Sequence, residues 1–384
     1  MPAPINASSV PFGSSLAKKH FGGALFSSTM AKSWVNKNLI LNANRVDKGA
    51  QMANAPIVVL NDLTKGEGDT ITYDLYMQIT GTPTFGDDTL EGNLESLDAY
   101  SDSITINQVR HGVDFGGRMS NKRTVNDNRA VAKAKLTEWF ANFFDQTVHM
   151  ELAGRRGINP FLMPKGVDYA IRDTHTFVDY DSEHTLYGGA ATSKATLTDA
   201  DKFTLTLLDI ALVQACTEGG DADNKVRLTP LDKNGEDAFM CVMHPYQVHD
   251  LRKDTGSLGW AEIQKAAAGS DGQNSPLFKN RLGDYRGISL KQTKNVSLDN
   301  TYGAGANIQT ARASFMGRQA LVTAFGNASS ANLRADWTEK KTDVDDNKST
   351  ISGRMMFNAK RPRFNNKDVN SYALDTAAQK PLKA

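Results

Sequence analysis

The sequence predicts an α+β protein on three observations. Residues 70–80 alternate apolar and polar with a period of two, residues 126–153 carry an apolar stripe at helical spacing, and short strand-like runs separated by turns dominate from residue 285 onward. Composition agrees. A chain of 384 residues with 40% hydrophobic residues, 23% charged residues and a net charge of +1 is an ordinary globular chain, long enough to bury a large core in about one to three domains.

Residues 1–56 are rich in Ser, Ala, Asn and Gly and show little periodicity. They read as an extended arm with one short helix near residues 32–41, loose in a monomer and ordered on a neighbour. In residues 70–80, Ile71, Tyr73, Leu75, Met77 and Ile79 share one face, and Thr72, Asp74, Tyr76, Gln78 and Thr80 share the other. At about 3.3 Å per residue such a strand spans roughly 36 Å, long for a globular domain. Residues 103–115 form a second strand in which Ile104 and Ile106 share a face, whereas Val109, Val113 and Phe115 take the other parity. The switch calls for a bulge near Gln108. The connection over residues 81–102 is acidic, carries Pro83, Gly86 and Gly92, and is long enough to make the two strands a protruding hairpin.

The best helix covers residues 126–153. Asn126 and Asp127 are good capping types, Gly154 is a good stop, and Leu136, Phe140, Phe143, Thr147 and Met150 trace a stripe widened by Trp139 and Phe144. At 1.5 Å per residue it is roughly 40 Å long, the length of a spine. Residues 157–196 are irregular, with Pro160, Pro164 and the Gly188-Gly189 pair. Phe203, Leu207, Ile210 and Val213 predict a helix over 199–217. A buried strand follows at 238–243, helical pieces at 249–252 and 260–268, and strands at 287–291, 313–315, 319–323 and 351–357.

Charge is segregated. Residues 1–60 hold six Lys or Arg against Asp47, residues 61–114 hold eleven acids against Lys65 and Arg110, and residues 351–384 hold seven basic residues against Asp368 and Asp375. Blocks of opposite sign attract one another within a subunit or between copies, the alternative being a neutral protein with biased loops. The basic tail of Lys360, Arg361, Arg363 and Lys367 suits either phosphate or the acidic hairpin of another copy.

Chemistry is sparse. The sequence holds no G-x-x-x-x-G-K-[ST], H-E-x-x-H or G-x-S-x-G motif, and Gly303-Ala304-Gly305 lacks the third glycine of a dinucleotide loop. Asp343, Asp345 and Asn347 match the start of a calcium loop, but Lys348 and Arg354 stand where glycine and the bidentate glutamate belong. Two cysteines, Cys216 and Cys241, make neither a disulfide scaffold nor a four-cysteine zinc site and suit a reducing cytoplasm. An alternative reading, a metal-dependent or hydrolytic enzyme, would rest on His175, Asp179, Asp181 and His184, or on Cys241, His244 and His249; the latter trio has no fourth ligand at finger spacing. Outside that alternative, no enzymatic activity, cofactor or metal is expected. No apolar run approaches the roughly 18 residues of a membrane helix, and the first ten residues lack the features of a secretory signal.

Leu251-Arg252-Lys253-Asp254, Trp260 and Gln264-Lys265-Ala266 resemble a signature of major capsid proteins from podophages like coliphage N-four. The resemblance continues through Pro276-Leu277-Phe278, Leu282-Gly283-x-Tyr285-x-Gly287, Phe315-Met316-Gly317-x-Gln319-Ala320, Trp337-x-Glu339 and Asp345-x-Asn347, followed by Lys360 and Phe364. Upstream, Leu90-Glu91-Gly92-Asn93 and Gln108-Val109-Arg110-His111 belong to the same pattern, so that it spans roughly residues 65–365. This family is similar to the Hong Kong 97-type tailed-phage capsid. The resemblance implies an N-terminal arm (1–60), an extended β-hairpin (61–118), a peripheral domain with the spine helix and irregular segment (119–198), an axial domain (199–304), and a return to the peripheral sheet with a C-terminal tail (305–384).

It further implies pentamers and hexamers in an icosahedral shell assembled in the host bacterial cytoplasm around double-stranded DNA touched non-specifically. Separate scaffolding and portal proteins, and a possible decoration protein, complete the implied partners, with no membrane. Lys65 is a hairpin lysine, but no acidic catalyst or asparagine partner is assignable, so self-cross-linking is not expected. The expected subunit contacts are the hairpin acids Asp87, Asp88, Glu91 and Glu95 against Arg118, Lys122 and Arg123 at the spine start, or against the tail cluster of Lys360, Arg361 and Arg363.

Overall fold

A long helix lying between two sheets organises the computed structural model, which describes residues 12–40, 54–60, 68–76, 82–94, 99–123, 127–163, 177–217, 228–233, 235–253, 282–327, 334–342, 347–364 and 366–381. The N-terminal third contains α1 (Ser15–Lys32), α2 (Trp34–Asn38), β1 (Ile57–Leu60), β2 (Thr70–Tyr76), β3 (Ala99–Thr105), β4 (Asn107–Gly117), α3 (Arg118–Arg123) and the spine helix α4 (Asn128–Ala153). The middle contains β5 (Thr185–Tyr187), α5 (Leu205–Thr217), β6 (Leu231–Lys233), β7 (Glu236–Met243), α6 (Pro245–Lys253), β8 (Asp284–Tyr285), β9 (Ile288–Gln292) and β10 (Leu298–Tyr302). The remainder is strand: β11 (Ile308–Met316), β12 (Leu321–Phe325), β13 (Ala335–Thr342), β14 (Lys348–Lys360), β15 (Arg363–Phe364), β16 (Lys367–Asp368) and β17 (Ser371–Ala377).

The spine helix forms where its signals lie. Asp127 Oδ1 accepts from the Arg129 and Ala130 N–H groups at 3.0 and 3.3 Å, and Gly154 ends the helix in the left-handed region at φ 65°. Its N-terminal half is amphipathic, whereas every residue from Phe143 to Ala153 is buried. The sequence stripe therefore describes only the first half. Beneath it lies a five-stranded sheet centred on β14, which pairs with β12 and β13 on one edge and β4 on the other, while β1 extends it beyond β12. Residues Ile351, Gly353, Met355, Phe357 and Ala359 of β14 face the helices, the period-two pattern of a half-buried strand. Gly353 is required there: a Cβ would lie 2.8 Å from Phe140 and 2.9 Å from Leu25.

The eight-stranded sheet runs β5-β17-β11-β7-β9-β8, with β10 on β11 and β6 on β7. It is buried on both faces. In β7, Ala238, Met240 and Val242 join the core of the spine helix, while Phe239, Cys241 and Met243 join a second core under α5 and α6. This explains the unbroken apolar run. β11 and β17, from the last part of the chain, complete the sheet that β7 and β9 begin.

Three expectations are corrected. The arm is not merely an extended segment with one short helix: α1 packs along α4 and β13, and β1 pairs in the sheet, although residues 1–11 and 41–53 lie outside the described residues. The buried residues of α1 are Ala17, Gly22, Leu25 and Thr29: Leu25 joins the spine core, with Phe21, Phe26 and Met30 half-buried against it, and the three small residues allow close approach. The parity change near residue 108 is not a bulge: the chain breaks at Ile106, leaving β3 paired with β2 and handing β4 to β14. Ile104 serves the small cluster at the hairpin root, and Val109, Val113 and Phe115 serve the spine core, so two sheets set two parities. Helix α5 starts at Leu205 because Asp201 accepts bonds from the Thr198 N–H and hydroxyl at 2.7 and 2.8 Å and holds the preceding residues in a turn. The predicted helix at 260–268 lies outside the described residues.

Candidate subunit-contact surface

The hairpin of β2 and β3 pairs with neither large sheet and is held to the body at its root. Asp102 is the centre of that attachment. Its Oδ2 accepts from the Tyr73 hydroxyl at 2.7 Å and its Oδ1 from Lys360 Nζ at 2.6 Å. Lys360 also donates to the Ser103 carbonyl, Asn358 Nδ2 donates to the Thr105 carbonyl, and Tyr73 meets Phe364 edge-on. Burial, and then the Asp102 charge, push the Tyr73 hydroxyl above the ordinary phenol range, so it remains a donor. Ile71, Ile104 and Ala324 form a small apolar plug beside it.

Beyond the root, the described residues of the connecting segment carry Asp87, Asp88 and Glu91, all exposed, among Phe85 (74% exposed), Leu90 and Leu94 (74%). Acid and large apolar side chains thus share one exposed stretch. Glu95 and Lys65 lie outside the described residues. Lys122 and Arg123 end α3, exposed, and meet no carboxylate at ion-pair distance among the described residues. Arg118 opens α3, and its side chain lies outside the described ones. Exposed Met119 and Val131 stand on α3 and at the start of α4, and Arg110 and His111 are exposed on the adjoining β4, with His111 stacked on Trp139 at 4.2 Å.

The tail cluster is arranged differently from the expectation. Arg361 is buried: Nε donates to Asp368 Oδ1 at 2.7 Å, Nη2 donates to the Val178 carbonyl at 2.8 Å, and the guanidinium lies 3.6 Å from the centre of the Tyr180 ring. Arg363 lies 3.3 Å from the same Asp368, and Lys360 holds the hairpin of its own subunit. All three are engaged within one chain: Lys360, the last residue of β14, reaches the hairpin root, and Arg361 and Arg363 just beyond it converge on Asp368.

A buried ionic network escaped sequence reasoning. Arg312 in β11 donates to both Asp375 oxygens, at 2.8 and 2.7 Å, to the Ala153 carbonyl at the end of the spine, and to Asp179. Tyr302 donates to Asp375 at 2.5 Å and accepts from Arg155, which also donates to Asp299. Burial alone would push the Asp375 carboxyl up; the Arg312 charge and hydrogen bonds outweigh it and hold it below the usual carboxylate range. The available signal was a charge inside an apolar strand, Arg312 in β11 and Asp375 in β17, since a buried charge requires a partner.

A second missed contact is Asp145 of the spine. Its carboxylate accepts from the Ser33 hydroxyl and the Trp34 and Val35 N–H groups at 2.5, 2.8 and 3.1 Å, fixing α2. Glu339 does likewise for the start of α1, accepting from Gly13 N–H, Trp337 Nε1 and Arg129.

The clusters behind the enzyme reading are structural. Asp179 binds Arg312, Asp181 accepts from the Asp368 N–H, and His184 is buried against Tyr372 with Nδ1 2.7 Å from Asp181. His175 lies outside the described residues. Cys241 is fully buried, which pushes its thiol up, and burial pushes the nearby His244 down to about 4. His249 instead faces Asp250 at 3.7 Å. Among the described residues no three His, Cys, Asp or Glu side chains converge as a metal site, and neither cluster supports the enzyme reading.

Comparison with known proteins agrees with this distribution. A family model described as phage capsid protein matches residues 9–380. The major capsid protein of Pseudomonas phage KPP25 is 26% identical over 331 residues, covering 81% of this chain and 83% of its own. The capsid of Ralstonia phage GP4 superposes with a TM-score of 0.75 at 39% identity, covering 86% of this chain and 89% of that one. The capsid of cyanophage Pam1 shares the fold, with a TM-score of 0.66 at 19% identity over 91% of this chain and 97% of its own. With a hairpin and spine in place and a family match across nearly the whole length, the chain belongs to the phage capsid protein family and has the Hong Kong 97-type fold.

Proposed function

We propose that this chain, a major capsid protein, builds its shell by laying the hairpin of one copy on the spine start of the next within pentamers and hexamers. The observation that carries this reading is the exposed combination of Phe85, Leu90 and Leu94 with Asp87, Asp88 and Glu91, opposite in sign to Lys122 and Arg123 beside Met119 and Val131. Apolar contact gives such an interface its area, and the charges choose its register. Glu95 and Arg118 belong to the same pairing by sequence position. The buried state of Arg361 and the internal bonds of Lys360 favour the spine start over the tail as the receiving surface.

A non-enzymatic role follows from shell building. The division into arm, hairpin, peripheral and axial parts, assembly in the host cytoplasm, and help from separate scaffolding and portal proteins, with a decoration protein as a further partner, belong to the same proposal. Packaged double-stranded DNA is its cargo.

Charge reversal tests the pairing. Lys122→Glu with Arg123→Glu should abolish particles in light scattering and negative-stain images, as should Asp87→Lys with Asp88→Lys, while all four together restore them. Two reversed variants that assemble as the parent does would defeat it.

A further inference from the structure

The helical layer over the five-stranded sheet carries an excess of positive charge that the subunit does not use. Residues 12–40 include Lys18, Lys19, Lys32 and Lys37 and no acid. All four lysines are exposed and meet no carboxylate at ion-pair distance among the described residues. Lys133 of α4 joins them, its ammonium 5.4 Å from the centre of the Phe21 ring of α1. The acids of the neighbouring spine are already committed. Asp127 caps the helix, Glu138 pairs with Lys135 at 3.2 Å, Asp145 holds α2, and Glu151 is buried and engaged. Glu339 of β13 is buried on Arg129.

We propose that this face binds the phosphate backbone of duplex DNA. Lys18 and Lys32 are fourteen residues apart, near four helical turns, so they point to the same side about 21 Å from each other. That separation matches a run of about six phosphates, at about 3.4 Å per phosphate along one strand. The α1–α2 part of the face is poor in what a protein partner needs, since among the described residues 12–40 the large exposed apolar side chains are Phe12 and Leu16 at one end. Phosphate binding asks only for accessible positive charge, without base contacts. The inference rests on the shell reading, because it assigns the α1 side of the subunit to the inner wall.

The test uses the purified, unassembled full chain and a fluorescent duplex of arbitrary sequence, with anisotropy followed across salt. At about 0.9 in log–log slope per phosphate, four contacts predict a loss of affinity of about 150-fold between about 50 and 200 mM salt. Lys18→Gln, Lys19→Gln and Lys32→Gln together should reduce that loss to about fourfold, and the corresponding arginine triple should keep it. An unchanged thermal midpoint shows that the triple is folded. No binding by the parent chain, or the parent slope in the glutamine triple, would overturn the assignment. Binding of poly-glutamate without binding of duplex would overturn it too and assign the face to an acidic protein. Particle formation is scored separately. Particles without DNA binding overturn the DNA face and leave the shell reading standing, whereas a lysine-dependent slope upholds the DNA face whatever the state of assembly.

Discussion

Asp375 and Asp87 are both aspartates, and the molecule treats them in opposite ways. Asp375 is fully buried and receives Arg312 through both oxygens and Tyr302 through one. Asp87 stands exposed on the hairpin connection beside Phe85, with no side-chain partner among the described residues. In the body, Arg312 of β11 binds Asp375 of β17 and the Ala153 carbonyl, and Arg155 binds Asp299 of β10, so charge fixes how the end of the spine, β10, β11 and β17 meet. In the connection between β2 and β3, Asp87, Asp88 and Glu91 meet no cation at ion-pair distance among the described residues, and Phe85, Leu90 and Leu94 beside them are exposed. The difference separates what folds the subunit from what joins subunits.

Removing Arg312 should break this contrast most visibly. Arg312→Met takes from buried Asp375 its bidentate guanidinium, leaving Tyr302 and Arg155 at 3.7 Å, and breaking a buried pair costs about 3–5 kcal/mol. Asp87→Asn with Asp88→Asn touches no internal bond and should stay within about 0.5 kcal/mol of the parent. Urea unfolding of the soluble subunit compares them. Similar midpoints for the two variants would mean that the body does not depend on its network.

The hairpin root lies between these extremes. Asp102→Ala removes the acceptor of both Tyr73 and Lys360, so local opening of β2 and β3 should become easier by about 1.5 kcal/mol. Amide exchange over residues 70–76 and 99–105 should quicken about tenfold, while exchange over 128–153 stays unchanged. If both regions quicken together, the hairpin is no separate unit and its attachment belongs to the global fold.

How far the sequence reveals this arrangement depends on where the partners lie. The spine was legible because Asp127, the stripe at Leu136, Phe140 and Phe143, and Gly154 are local signals. The hairpin was legible because alternation in residues 70–76 survives in the structure. Helix α1 was not, because its core contacts Phe21, Leu25, Phe26 and Met30 are interleaved with Gly, Ser, Thr and Ala, and small Ala17, Gly22 and Thr29 make up much of its buried surface. The parity change around residue 106 was visible, but its cause, two sheets sharing one continuous chain, required knowing that β14 passes alongside. Asp87, Asp88 and Glu91, expected at a subunit contact, are exposed in the structure. Basic Arg361 was misread because its partner Asp368 and its platform Tyr180 come together only in the fold.

The smallest effect concerns pH and lies wholly in the body. Burial pushes His244 down to about 4, and its Nδ1 accepts the Tyr246 N–H at 3.2 Å, a bond that protonation at Nδ1 removes. Burial lowers His149 as well. The unfolded chain therefore binds more protons than the folded one between about pH 6.5 and 4, so stability rises with pH across that window and is lost on acidification. From pH about 6.5 to 5.5 the loss from His244 amounts to about 1 kcal/mol, bounded by about 1.4 kcal/mol per unit for one group. His244→Asn retains an acceptor but cannot titrate, so its stability relative to the parent should improve by that amount over the same unit of pH in urea unfolding. A stability difference between His244→Asn and the parent that stays constant with pH would show that His244 does not carry the acid sensitivity.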